Sequence, residues 1–236
     1  MKKILILLLL VLTASLSSAQ SRTAPITKVD WEEIGKFCKS QPDSIKALTK
    51  RMLRNQIDTT LTAKERLTAY IGQTYLAQDD NAALLLLHYN DSVKDKNYNG
   101  ALRTALQAVK INPLSLEANV DVLNMISQQL EDSTKESSYT LEDARYYYHI
   151  MMRLMNTIAM SGDGSKENPF AVVSVADEYI FMENYLNIEA GNQYFLEGTP
   201  PCDMFDVKEK SKYYQADHIY FDITHVLELE KGTFKK

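Results

Sequence analysis

Apolar positions recur at steps of three and four through most of the chain and at steps of two only towards its end. Trp31, Ile34, Phe37 and Cys38 set a first helical stripe, and Pro42 opens a second helix with Ile45, Leu48, Met52 and Leu53 inside. Thr62, Ala63, Lys64 and Glu65 have the form of a capping box. Hydroxyl and carboxylate there each satisfy a backbone N–H that a first helical turn leaves open. The stripe Leu67, Tyr70, Ile71, Thr74 and Tyr75 follows, and residues 82–87 begin another helix.

Residues 98–130 are the most regular stretch. Ala101, Ala105 and Ala108 are followed by Pro113, an arrangement resembling the second helix of a tetratricopeptide repeat, where small residues let paired helices approach closely. Asn112 and Pro113 read as the cap and first position of the next helix, continued by Leu116, Val120, Leu123 and Ile126. The resemblance covers about one unit, so it predicts stacked helical hairpins and not a repeat array. After a polar boundary at residues 131–138, Thr140 caps a long helix with the stripe Leu141, Ala144, Tyr148, Met151, Met155 and Ile158. Of Tyr146, Tyr147 and Tyr148, helical geometry puts at least one in the core and another outside.

Ser161, Gly162, Asp163, Gly164 and Ser165 stop that helix. Short alternating runs then predict strands at residues 170–175, 193–196, 204–208 and 218–223, with a helix over 177–187. Ile219, Phe221 and Ile223 would point one way, and His218, Tyr220 and Asp222 the other. The expected class is α+β and predominantly helical: antiparallel hairpins resembling a tetratricopeptide unit over residues 29–160, with a small α+β segment over 161–236 packed on them.

The N-terminus changes the setting. Lys2 and Lys3, an apolar run over residues 4–16 and the small residues Ser17, Ser18 and Ala19 have the order of a cleavable signal peptide, residues 1–19, followed by a flexible lead over 20–28. A bilayer span takes about 20 apolar residues. The run is shorter, so no transmembrane anchor is expected after removal, and the location is periplasmic or secreted. In such a compartment Cys38 and Cys202 either bridge distant segments or pack separately as small apolar side chains. The net charge is −5 with cations scattered among acids, which argues against nucleic acid.

The residues also carry a family resemblance. Ser161, Gly162, Asp163 and Gly164, then Asn168, Pro169 and Phe170, Val172, Ser174, Val175, Asp177, Glu178 and Tyr179 form one ordered signature. Asp58, Thr59, Thr60, Leu61 and Thr62 belong with it in the front half. Cys202, Asp203, Phe205 and Val207, and Tyr220, Phe221, Asp222 and Ile223, belong with it near the end. The chain resembles an exported bacterial family, domain of unknown function 4919, over most of its length. The resemblance implies a fold and a compartment and names no substrate.

Two functions follow as expectations. One is a non-enzymatic scaffold or interaction module holding a peptide or protein partner in a helical groove. The other is a metal-dependent or carboxylate-based hydrolase centred on Asp163, Asp177 and Glu178, with His149 or His218 brought in by folding. Asp163, Ser165 and Glu167 alternate as in a calcium loop, but the sixth and twelfth positions hold Asn168 and Ser174, so a helix-stopping turn is the reading preferred. Asp177 and Glu178 at a helix start suit the helix dipole. No histidine pair has ligand spacing, and neither a metal nor a cofactor is expected. The candidate binding loop is therefore Ser161, Gly162, Asp163 and Gly164 with Asp177 and Glu178. The pattern carries no signal for an oligomeric state.

Overall fold

A computed structural model describes residues 25–76, 82–132 and 137–233. The predicted signal peptide and residues 20–24 of the lead lie outside these residues. Helix α1 (Trp31–Ser40) starts at Asp30, whose side chain accepts from the Glu33 amide, and α2 (Pro42–Met52) starts on its proline. Both pack on α3 (Ala63–Leu76). The Thr62 box forms as expected: Thr62 Oγ1 accepts from the Glu65 amide at 3.2 Å, and Glu65 Oε2 accepts from the Thr62 amide at 2.8 Å.

Helices α4 (Ala82–Lys94), α5 (Tyr98–Ile111), α6 (Leu116–Glu131) and α7 (Leu141–Ser161) each pack on the next, and α3 also lies against α7. Ala101 and Ala105 are buried on α5, where a small side chain allows close approach. The turn after α5 differs from expectation. Asn112 ends α5 and its side chain accepts from the Leu114 amide, while Ser115 caps α6. Asn112 and Pro113 therefore make the turn, and the helix begins three residues later. Helix α7 opens with a capping box between Thr140 and Asp143. Met151 and Met155 are core residues, and Tyr146, Tyr147 and Tyr148 are all half-buried against the core, with none fully inside or outside.

The remainder is a four-stranded sheet with short helices. Strands β1 (Phe170–Ala171), β2 (Glu189–Leu196), β3 (Cys202–Glu209) and β4 (His218–Asp222) lie in the order β1-β4-β3-β2. Only β1 and β4 run parallel. The strand expected over 170–175 shrinks to two residues because Ser174 caps α8 (Val175–Phe181), drawing the chain into a helix. Helix α8 continues as a π-helical turn, Met182–Leu186, ended by Asn187 with φ 51°. Strand β2 begins four residues earlier than expected and carries a bulge between Ala190 and Gln193. A last helix, α9 (Thr224–Thr233), lies beyond the elements that the sequence pattern predicts.

Phe170, Phe181, Phe205 and Phe221 form one aromatic cluster between α8 and the sheet, with centroids 4.8 to 6.4 Å apart. Helix α8 also packs on α6, and β1 on α7, so sheet and helices share a core. The fold is α+β and predominantly helical, with nine α-helices among the described residues. None of these is long and apolar enough to cross a membrane.

Candidate functional site

The Asp163 segment is tied up in backbone. The amides of Asp163 and Gly164 donate to the Asn168 carbonyl at 3.0 and 3.1 Å, and Asp163 Oδ1 accepts from the Ser165 amide at 2.9 Å. Ser161 Oγ accepts from the Ala171 amide at 2.8 Å, fastening the end of α7 to β1. Gly164 takes φ 79°, and its carbonyl accepts from the Tyr220 amide and the Tyr214 hydroxyl, at 3.0 and 3.1 Å. A side chain on Gly162 would run into the carbonyl oxygens of Asn168 and Pro169. The loop stitches α7, β1 and β4 together, and its polar groups serve that turn.

Asp177 and Glu178 lie elsewhere, in the core. Ser174 places Asp177 at the third position of α8, and Asp177 Oδ2 accepts the Tyr70 hydroxyl from α3 at 2.5 Å. Glu178 follows with 0 % exposure and, among the described residues, no hydrogen-bond partner for either carboxylate oxygen. Burial, then the charges of Asp203 and Asp177, push the Glu178 carboxyl up to about 9. Burial raises Asp177 against its hydrogen bonds, and raises Asp203, which accepts Gln193 Nε2 at 2.7 Å. On α6, burial and the Asp177 charge raise Glu117, and burial raises Asp121 to about 7. Five acids thus run from α6 through α8 to β3, with Tyr70 hydrogen-bonded in their midst.

The other anticipated members do not join them. His149 is exposed beside Tyr148, and His218 is exposed and paired with Asp206 at 3.2 Å. Asp163 acts on Tyr214 and shares no partner with Asp177 among the described residues. Nor do these residues include a group of three or more His, Cys, Asp or Glu arranged to hold a metal ion. Cys38 and Cys202 are free buried thiols, each raised by burial to about 11.

Sequence reasoning passed over His225. It is fully buried, stacked on Trp31 at 5.6 Å and against Tyr75 at 4.8 Å. Its Nε2 meets Thr74 Oγ1 at 2.6 Å and its Nδ1 meets Glu228 Oε2 at 3.1 Å. Burial lowers its pKa against the Glu228 hydrogen bond, so the ring is neutral at pH 7, with Nδ1–H donating to Glu228. Trp31 Nε1 in turn donates to Asp222 Oδ2 at 2.8 Å. Hydroxyl, imidazole and carboxylate stand in line, but the ring is sealed, and the contacts fasten α9 to α1 and α3. The faint signal was His225 and Glu228 three apart on one helix face.

Two further features bear on function. A cavity of about 20 Å³ lies among Arg51, Asp58, Arg66 and Arg153, with room for a water and not for a substrate. Strand β2 lies at the sheet edge, its outer side unpaired among the described residues, with Tyr194 and Phe195 exposed by 43 % and 54 %.

No curated protein and no solved structure matches this chain. A family model does match, over residues 42–231, from the start of α2 into α9. The loop that stitches α7 to the sheet, the buried acids and the edge strand all fall inside that span, and the chain belongs to the family described as Domain of unknown function (DUF4919).

Proposed function

We propose that this protein is an exported, non-enzymatic interaction module that takes an extended segment of a peptide or protein partner along the open edge of β2. The observation that carries this reading is an eight-residue edge strand bearing two exposed aromatic side chains. An edge strand presents a row of N–H and C=O groups that another strand can complete, with side-chain contacts adding selectivity. The bulge between Ala190 and Gln193 spoils the regular spacing there, so Gln193–Leu196 is the landing stretch. The signal-peptide pattern supports periplasmic or secreted delivery, and the helical hairpins, similar to a tetratricopeptide unit, serve as the base that holds the sheet. Of the acids a hydrolase would use, Asp177 and Glu178 are buried while Asp163 stands exposed in a separate loop, and this separation supports binding over catalysis.

The test is selection of peptides from a random library on the folded mature chain, followed by hydrogen exchange with and without the selected peptides. Protection should appear at residues 193–196, and Phe195→Asp should weaken binding at least tenfold without lowering the melting temperature. Protection confined to the helices would move the partner to the helical surface and sink the edge reading.

A further inference from the structure

Glu178 is fully buried with neither carboxylate oxygen hydrogen-bonded among the described residues, and the titratable groups that act on it are acids and phenols. On its own helix it has Asp177 and Tyr179; from α3 comes Tyr70, and from β3 comes Asp203. One layer out, Glu117 of α6 faces Asp177 and Glu230 of α9 faces Asp203. Among the described residues no lysine, arginine or histidine from any packed element acts on Glu178. A carboxylate taken from water without a counter-charge or a hydrogen bond is strongly disfavoured, and such a group keeps its proton instead.

We propose that Glu178 and Asp203 form a proton-dependent latch between α8 and the sheet, docked while Glu178 is a neutral acid and released when the medium takes its proton. The seam is otherwise built of rings: Tyr179 lies edge-on to Phe205 at 5.3 Å, and Phe181 edge-on to Phe221 at 6.4 Å. Ionised Glu178 would set a second negative charge beside Asp203 within that apolar seam. The strain then reaches β2, because Asp203 is held by Gln193, which also accepts from the Tyr179 hydroxyl at 2.9 Å. The proton passes to hydroxide or buffer base and nothing else is consumed. The latch holds whether or not β2 receives a partner.

The value of about 9 for Glu178 sets the scale. The unfolded chain releases this proton near the ordinary 4.5 and the folded chain keeps it to about 9. Stability therefore falls as pH rises through that window, the unfolding constant growing by up to about tenfold per pH unit. The experiment is urea unfolding of the mature chain from pH 6 to pH 9.5, for wild type, Glu178→Gln and Asp203→Asn, with a carbon-13 titration of the glutamate carboxyls in wild type and Asp203→Asn. Glu178→Gln should flatten most of the alkaline decline, and Asp203→Asn should bring the Glu178 titration nearer 4.5. A Glu178 carboxyl that titrates near 4.5 in wild type overturns the latch even where Glu178→Gln does not fold. So does a melt at pH 7 that calcium or zinc raises in wild type and not in Glu178→Gln, which would make the site a cation site.

Discussion

Tyr70 and Asp177 stand 107 residues apart in sequence, and the Tyr70 hydroxyl donates to Asp177 Oδ2 at 2.5 Å inside the core. Both side chains are buried, Asp177 also accepts from the Val173 amide, and the Asp177 amide donates to Ser174 Oγ. The bond ties α3 to the first turn of α8, so an element of the helical front fixes the entry of the sheet segment. Desolvation and the Asp177 charge raise the Tyr70 phenol well above its ordinary range, keeping it a donor throughout the physiological range.

Removing that donor leaves a buried carboxylate short of one hydrogen bond. Tyr70→Phe should cost about 1–3 kcal/mol, the penalty of an unsatisfied buried polar group. The check is a urea midpoint shifted at unchanged slope. A double-mutant cycle with Asp177→Asn should return a coupling of about 0.5–3 kcal/mol; a coupling near zero would mean the two side chains act independently.

Elements with strong periodicity were legible before the structure. The Thr62 and Thr140 boxes, the Met151 and Met155 face and the alternation of Ile219 and Phe221 in β4 all follow from local chemistry. Boundaries set by competition were not. Residues 172–173 read as strand on propensity, yet Ser174 captures the next amides for α8 and ends the run. Asn112 and Pro113 look like a helix start but Ser115 has the capping geometry. The candidate site was half legible: Asp177 and Glu178 stood out as a pair, but their partners Tyr70, Glu117 and Asp203 come from three other elements. Periodicity marks Tyr70 as buried without saying which acid it meets.

His225 predicts a decline in stability on the acid side. Its folded value lies below the ordinary 6.5, so the unfolded chain binds the proton first as pH falls. The stability present above about 6.5 is lost as pH drops towards the folded value, by up to about 1.4 kcal/mol per pH unit. His225→Gln should be less stable at pH 7.5, losing the stacks on Trp31 and Tyr75, yet flatter as pH falls below 6.5. Equal slopes for variant and wild type would assign the acid decline to other groups.

Gly162 predicts a steric failure. Its backbone is extended, with φ −162°, so the conformation itself is open to any residue. The obstacle is the pair of backbone carbonyl oxygens at Asn168 and Pro169, the first of them held by the Asp163 and Gly164 amides. Gly162→Ala should cost about 3 kcal/mol, the upper end of overpacking, and lower the melting temperature by about 6–12 °C. A melt within about 2 °C of wild type would show that the loop yields, against its role as a rigid stitch.

The two cysteines predict a reagent test. Cys38 and Cys202 are 2 % and 6 % exposed, and burial raises both thiols to about 11. At pH 8 only about one thiol in a thousand is then a thiolate, and that fraction is shielded from bulk reagent. An aromatic disulfide reagent should therefore release almost no chromophore from the native protein within minutes, and two equivalents once the chain is denatured without reductant. Folding encloses each thiol separately, Cys38 on α1 and Cys202 on β3. Silence in the denatured state as well would mean that the chain bridges the two, and the packing around Cys38 and Gly72 would then have to give way to bring the sulfurs together.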